Sequence, residues 1–265
     1  MKLVRYAIVG AAGRMGRRIV ALASSDASLT CANAIESQGN EHIGRDMGDL
    51  AGIGPIPLSI SAELNADFDV LIDFSTADAT GKWLSECRKR RRPMIIGTTG
   101  HDARSLDEIR AAAGEIAVLK APNMSVGVNL MIGLVEELAR SLDAKYDVEI
   151  TEAHHRFKAD APSGTAIALR DAILRGRGVS GETVHGRTGQ TGARPAGQIG
   201  MHSLRIGDTV GDHTVSFGAL GETISISHSA HSRDTFAAGA LLAARWIVGK
   251  PAGLYGMNDV LRFTR

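Results

Sequence analysis

Short apolar runs alternate with amphipathic stretches through the first 125 residues. Leu3–Val9 predicts a buried strand and Gly13–Ala23 a helix. Leu29–Ile35 predicts a second strand, and Val70–Phe74 a third that leads into a helix through Cys87. Met94–Ile96 is the fourth expected strand, followed by a helix from about Ser105 to Ala113 and a fifth strand at Ala117–Lys120. Continuous rather than alternating apolar runs indicate strands covered on both faces, as in an α/β fold with a doubly wound parallel sheet.

The pattern changes in the second half. Asp147–His154 alternates, as a strand with one covered face does, and Thr165–Leu174 has helical spacing. Between Thr183 and His228 the sequence predicts short strands broken by Gly186, Gly189, Gly192, Gly197, Gly200, Gly207, Gly211, Gly218 and Gly221. That is the pattern of a mixed or antiparallel sheet. A last helix is expected at Phe236–Val248, before Gly249-Lys250-Pro251. The expected layout is a dinucleotide-binding domain at 1–125, an inserted α+β substrate and oligomerisation domain at 126–235, and a return to the first domain at 236–265.

Composition narrows the function classes. The chain has 265 residues, 44% hydrophobic and 22% charged, with only 4% aromatic, so the core must rest on aliphatic side chains. A formal net charge of +1 gives no basic excess for a nucleic-acid partner. Two cysteines, Cys31 and Cys87, make no disulfide framework and fit a reduced, cytoplasmic compartment. The apolar run within Met1–Gly10 is too short for a signal peptide, and no stretch approaches the roughly 20 apolar residues of a membrane span.

Gly10-Ala11-Ala12-Gly13-Arg14-Met15-Gly16 follows the first strand and opens the first helix. Glycine there permits unusual backbone angles and lets the main chain approach a pyrophosphate, while the helix N-terminus offers N–H groups to that anion. Glu36 lies twenty residues beyond Gly16, at the end of the second strand, where a carboxylate accepts from adenosine ribose hydroxyls. Together these predict a Rossmann-type nucleotide site. Ser37 and Gln38 follow Glu36 with no cation to meet a 2′-phosphate, which predicts NADH as the preferred cofactor; nearby Arg14 and Arg17 leave NADPH open.

Gly97-Thr98-Thr99-Gly100 follows the fourth strand and Ala121-Pro122-Asn123-Met124-Ser125-Val126-Gly127-Val128-Asn129 the fifth, both at carboxyl ends where open α/β sheets bind ligands. Glu152-Ala-His154-His155-Arg156-Phe157-Lys158-Ala-Asp160-Ala-Pro162-Ser163-Gly164-Thr165 gathers two imidazoles, a guanidinium and an ammonium before a helix start. Ser163 is the expected N-cap, with Gly164 and Thr165 presenting first-turn N–H groups suited to a carboxylate. If this stretch stays extended, His154, Arg156 and Lys158 share one face. Such a cluster suits a small polyanion that also receives a proton.

With these motifs, in this order and spacing, and with Asn123–Asn129, Arg205–His213 and Ser232–Phe236, the chain resembles the dihydrodipicolinate reductase family over nearly its whole length. The resemblance implies NAD(P)H-dependent reduction of 4-hydroxy-tetrahydrodipicolinate, a cyclic dicarboxylate, to tetrahydrodipicolinate in lysine and diaminopimelate biosynthesis. It implies that Gly10, Ala11, Ala12, Gly13, Arg14 and Met15 meet the dinucleotide phosphates and that Glu36 holds the ribose. It implies that Gly97, Thr98 and Thr99, with Ala121, Pro122, Asn123 and Met124, frame the nicotinamide. His154 would be the general acid/base, Lys158 the proton donor, and His155, Lys158, Ser163, Gly164 and Thr165 the substrate ligands. A homotetramer is implied as well. Ser37 departs from an Arg of some relatives, and Met124 from a common aromatic.

On the residues alone, another Rossmann-type amino-acid or sugar dehydrogenase, or a non-catalytic dinucleotide sensor, stays open. Arg88–Arg92 reads as a solvated helix end. His202, His213, His228 and His231 lack metal-ligand spacing and are expected on sheet surface or at subunit contacts, with no metal.

Overall fold

The computed structural model describes residues 3–261. The chain divides into two compact units, one comprising residues up to Val126 with those from Arg233 onward, the other Gly127–Ser232.

The first unit begins with β1 (Val4–Val9), α1 (Arg14–Ala23), β2 (Leu29–Ile35), α2 (Met47–Ala51), β3 (Ile60–Ser61) and β4 (Val70–Asp73). It continues with α3 (Ala77–Arg90), β5 (Met94–Ile96), α4 (Ala103–Ala113) and β6 (Ala117–Lys120). The second unit holds α5 (Val126–Ser141, from its second residue), β7 (Asp147–His154), α6 (Gly164–Arg177), β8 (Thr183–His185), β9 (Ile199–Arg205), β10 (Gly211–Ala219) and β11 (Glu222–Ala230). The last part of the chain supplies α7 (Asp234–Ile247), β12 (Gly253–Tyr255) and α8 (Met257–Val260) to the first unit.

In the first unit the described residues form a seven-stranded sheet in the order β12-β6-β5-β4-β1-β2-β3, with every pairing parallel. All residues of β4 and β5 are buried, which is why their sequences are continuous apolar runs. One face packs on α1 and α7 through Ile19, Val20, Ala237, Ala240 and Leu241, the other on α3 and α4 through Trp83, Leu84, Ile109 and Ala112. Strand order reverses beside β1, so the carboxyl ends of β1 and β4 flank a crevice of the kind that binds ligands in open α/β sheets.

The second unit carries a mixed five-stranded sheet, β11-β10-β7-β9-β8, in which β7 pairs antiparallel with β10 and parallel with β9. Its inner face, including Val148, Ile150, Val215 and Phe217, packs on Met131 and Val135 of α5 and Leu169 and Ile173 of α6. The expected breaking of these strands by glycine is corrected in part. Gly200, Gly211 and Gly218 lie inside strands, and β10 and β11 each run nine residues. At Gly200 a Cβ would stand 1.7 Å from Glu149 Oε2, so this glycine serves lateral packing rather than a turn. Gly207 and Gly221, at φ 52° and 99°, do mark turns.

The basic run closes α3. Arg91 caps it in the left-handed region, Arg88 pairs with Glu115, and Arg92 with Asp67. Among the described residues no helix is long and apolar enough to cross a membrane.

Candidate active site

In the first unit the glycine loop forms where β1 passes into α1. Gly10 has φ 77°, and a Cβ there would lie 2.4 Å from the Phe74 carbonyl oxygen. Gly13 caps α1 through its backbone alone, with no side-chain hydrogen bond. Gly16 sits where a Cβ would meet the Gly10 and Ala11 carbonyl oxygens at 2.3 and 2.5 Å. The loop is thus compressed against the helix start, a geometry that only glycine permits.

Glu36 is tied to this loop. Its Oε1 accepts from Ala12 N at 2.9 Å, and its Oε2 from Ser37 N and Asn40 Nδ2, each at 3.2 Å. A cavity of about 670 Å³ is lined by Gly10, Gly13, Glu36, Ser37 and Gln38, and also by Lys82, which lies 4.5 Å from the Trp83 ring. Lys82 is a cation that the sequence motif did not reveal, because α3 brings it from 46 residues away in the chain.

A second cavity of the same unit, about 340 Å³, is lined by Arg14, Met15, Gly97, Thr99 and Pro122–Met124, with Phe74, Arg233 and Phe236. Ala11, Ala12, Thr98 and Ala121 line neither cavity: their side chains are buried. Thr98 was expected beside the nicotinamide, yet its hydroxyl turns inward to Asp73 Oδ1 at 3.1 Å. Asp73 is fully buried and also accepts from Ser75 N, Ser75 Oγ and Thr80 Oγ1. It fastens the Gly97–Gly100 loop to the end of β4.

In the second unit β7 delivers Glu152 and His154, and α6 begins at Ser163. The chain does not stay extended past His154, so the expected shared face of His154, Arg156 and Lys158 does not form. Lys158 N donates to His155 O at 3.0 Å, closing a turn, and Arg156 is exposed. Lys158 is nevertheless largely covered, its side chain 19% exposed, with Nζ 2.8 Å from both oxygens of Asp160. Ser163 caps α6 by accepting from Ala166 N at 3.1 Å. Gly164 has open space around it, and Thr165 follows in the same first turn. His155 Nδ1 is buried without a hydrogen-bond partner.

Two residues without an expected role complete this cluster. Arg205, at the end of β9, reaches both oxygens of the buried Glu152. His213, on β10, bonds Ser163 Oγ through Nε2 at 3.1 Å, and its ring meets that of His154 edge-on at 5.2 Å. His213 is 4% exposed, which corrects its expected surface position. Burial, then repulsion from His154, pushes its pKa down to about 4. An unfolded histidine titrates near 6.5, so between about pH 6.5 and 4 the unfolded chain holds a proton that the folded chain lacks. Stability is therefore lost as pH falls through that window, by about 2 kcal/mol from this group between pH 7 and 5. Urea unfolding at the two pH values will show the loss, and His213→Gln will reduce it; an equal slope in the variant would refute the assignment.

Cys31 and Cys87 are free; burial raises both thiols, Cys31 to about 12, so neither is a thiolate nucleophile. Among the described residues no group of three or more His, Cys, Asp or Glu could hold a metal.

Residues 4–124 match the family model for the dihydrodipicolinate reductase N-terminus and residues 127–261 that for its C-terminus. The 4-hydroxy-tetrahydrodipicolinate reductase of Alkalilimnicola ehrlichii is 47% identical, over 97% of this chain and 98% of the relative. That of Parvibaculum lavamentivorans is 47% identical, over 97% of each chain. The solved structure of a dipicolinate-bound dihydrodipicolinate reductase from Paenisporosarcina sp. TG-14 is 26% identical, superimposes with a TM-score of 0.77, and covers 97% of this chain and 99% of its own. On both matches and on these identities, the chain belongs to the dihydrodipicolinate reductase family.

Proposed function

We propose that this chain catalyses the NAD(P)H-dependent reduction of 4-hydroxy-tetrahydrodipicolinate to tetrahydrodipicolinate, a step of lysine and diaminopimelate biosynthesis. The observation that carries the reading is the cluster in the second unit. His154, the Asp160-bound Lys158 and the Ser163 cap of α6 are held by a common set of bonds beside a helix N-terminus. A polyanionic ring that must gain a proton is what such a cluster recognises. Two relatives carry this activity in their names, and the solved relative binds dipicolinate, a planar cyclic dicarboxylate.

The residues present fit a dinucleotide. The constricted Gly10–Gly16 loop and the N-terminus of α1 suit a pyrophosphate, Glu36 the ribose hydroxyls, and Gly97, Thr99 and Pro122–Met124 the nicotinamide. When bound, the nicotinamide supplies a hydride to ring carbon 4. Lys158 delivers the proton toward the ring nitrogen, His154 exchanges protons as the elements of water leave, and His155, Lys158, Gly164 and Thr165 hold the carboxylates, while the buried Ser163, its hydroxyl and N–H already bonded, sets the helix start that presents Gly164 and Thr165. The enzyme of this proposal is a cytoplasmic homotetramer. Its second unit has an outer strand, β11, whose free edge and hydroxyl pairs Thr214–Ser227 and Ser216–Ser225 suit contact between copies.

NADH oxidation by the purified protein is the direct test, with substrate made in situ from pyruvate and aspartate semialdehyde by the pathway synthase. Oxidation that requires the synthase supports the proposal. Binding of the dinucleotide without oxidation overturns it.

NADH is the preferred cofactor in this reading, because a 2′-phosphate would meet the Glu36 carboxylate beside the neutral Ser37 and Gln38; Lys82 in the same cavity lets NADPH bind as well. Ser37→Arg places a planar cation at the exposed rim and is expected to raise the NADPH to NADH ratio of kcat/KM about tenfold. An unchanged ratio would remove Ser37 from the specificity argument.

A further inference from the structure

The proposed reaction assigns no task to Glu152, yet this carboxylate is fully buried within the second unit. A buried carboxylate is tolerated only when it is fully paired. Glu152 accepts from His154 Nδ1 at 2.5 Å, Arg205 Nη1 at 3.0 Å, Arg205 Nη2 at 3.1 Å and Ser163 N at 3.3 Å. Burial would raise its pKa, but the hydrogen bonds from Arg205, Ser203 and His154 outweigh that and hold it below the ordinary carboxylate value. It is therefore ionised and can only accept, which requires His154 to present N–H at Nδ1.

That leaves the other ring nitrogen for proton exchange. A Cβ at Gly211 would lie 3.1 Å from His154 Nε2, so the glycine keeps that side of the ring uncrowded. Arg205 extends the frame. Its Nη2 donates to the Asp160 carbonyl at 2.6 Å, which ties Glu152 to the segment carrying Lys158. The main chain adds bonds from Ile206 N to His154 O at 2.9 Å and from Arg156 N to Gly207 O at 3.1 Å.

We propose that Glu152, held by Arg205, is a positioning residue that fixes the ring orientation and tautomer of His154, so that Nε2 exchanges the proton. The proposal rests on the reading of His154 as the general acid/base. A carboxylate behind an imidazole selects one tautomer and stabilises the imidazolium that forms when the ring takes a second proton.

Glu152→Gln tests it with nearly unchanged shape. An amide has one accepting oxygen, so its NH2 must face either Arg205 Nη1 and His154 Nδ1, which share Oε2, or Arg205 Nη2 and Ser163 N, which share Oε1, and the bonds on that side are lost. The expected result is a fall in kcat of about 10²-fold, with the dinucleotide Kd within twofold of wild type. Ring 15N NMR should show His154 as the Nδ1–H form in the wild type and as a mixture of tautomers in the variant. Arg205→Lys keeps the charge but cannot span both Glu152 oxygens and the Asp160 carbonyl, so it should move the same resonances and kcat in the same direction. It carries the comparison if Glu152→Gln does not fold. A kcat within threefold of wild type, or a loss of thermal stability with His154 still wholly in the Nδ1–H form, would overturn the positioning role. If the wild type fails to reduce the substrate, the functional reading fails instead. The wild-type tautomer then still decides whether Glu152 orders the ring.

Discussion

Lys158→Ala is expected to lower kcat about 10³-fold while leaving the dinucleotide Kd within twofold of wild type. The expected loss of activity has two sources. General-acid catalysis contributes roughly 10²–10⁴-fold to kcat, and loss of the positive charge proposed to pair with a substrate carboxylate adds to the fall in kcat/KM. The structure accounts for the selectivity. Lys158 lies in the second unit, whereas every residue lining the two cavities assigned to the dinucleotide lies in the first. Before substrate arrives, Nζ rests between the two Asp160 oxygens at 2.8 Å, in an ion pair whose acidic partner is 68% exposed. An exposed pair is weak, so a substrate carboxylate can take the ammonium from Asp160 at little cost. Lys158→Arg separates the two contributions. Guanidinium retains the charge but does not release a proton near neutral pH, so KM for the substrate should stay within about threefold while kcat remains low. Near-normal turnover in Lys158→Ala would exclude Lys158 as the proton donor. An active Lys158→Arg would reduce its role to charge.

The strands of the first unit were legible because a doubly covered parallel strand must be continuously apolar. Leu29–Ile35, Met94–Ile96 and Ala117–Lys120 form strands over those bounds. What escaped was short or already claimed by another reading. Ile60–Ser61 and Gly253–Tyr255 are strands only because β2 and β6 pair with them, and two or three residues carry no periodicity. Val126–Ser141 was read at its start as part of a ligand loop, and the 16-residue helix beginning there went unrecognised. The site divides along the same line. Gly10, Glu36, His154 and Ser163 sit at element ends, where local sequence determines geometry. Asp73, Arg205 and His213 act through partners 25, 53 and 50 residues away, and no local pattern announces such pairings. The inward turn of the Thr98 hydroxyl is of the same kind, since its direction is set by a buried carboxylate on another strand.

Gly16→Ala is the smallest substitution with a comparably large expected effect. Its added carbon would lie 2.3 Å from Gly10 O, 2.5 Å from Ala11 O and 2.6 Å from Ala11 Cα. All three are main-chain atoms, so no side chain can swing aside. Relief requires α1 to move from the loop by about 1 Å, since ordinary carbon contacts begin near 3.5 Å. Gly10 cannot yield in turn. It is in the left-handed region at φ 77°, and the position a Cβ would take there is already 2.4 Å from Phe74 O. The strain therefore opens the segment whose backbone groups are to meet the pyrophosphate, and Ala12, whose N–H holds Glu36, moves with it. A site that depends on backbone N–H groups and a helix dipole loses most of its value when those groups separate. Dinucleotide Kd is expected to rise about 10²-fold, equivalent to roughly 3 kcal/mol, with a fall in Tm from the overpacking. Calorimetric titration with NADH gives the first quantity and circular dichroism the second. An affinity within threefold of wild type would show that the phosphates do not rest on this loop, and would move the assignment to the other face of the strand order reversal.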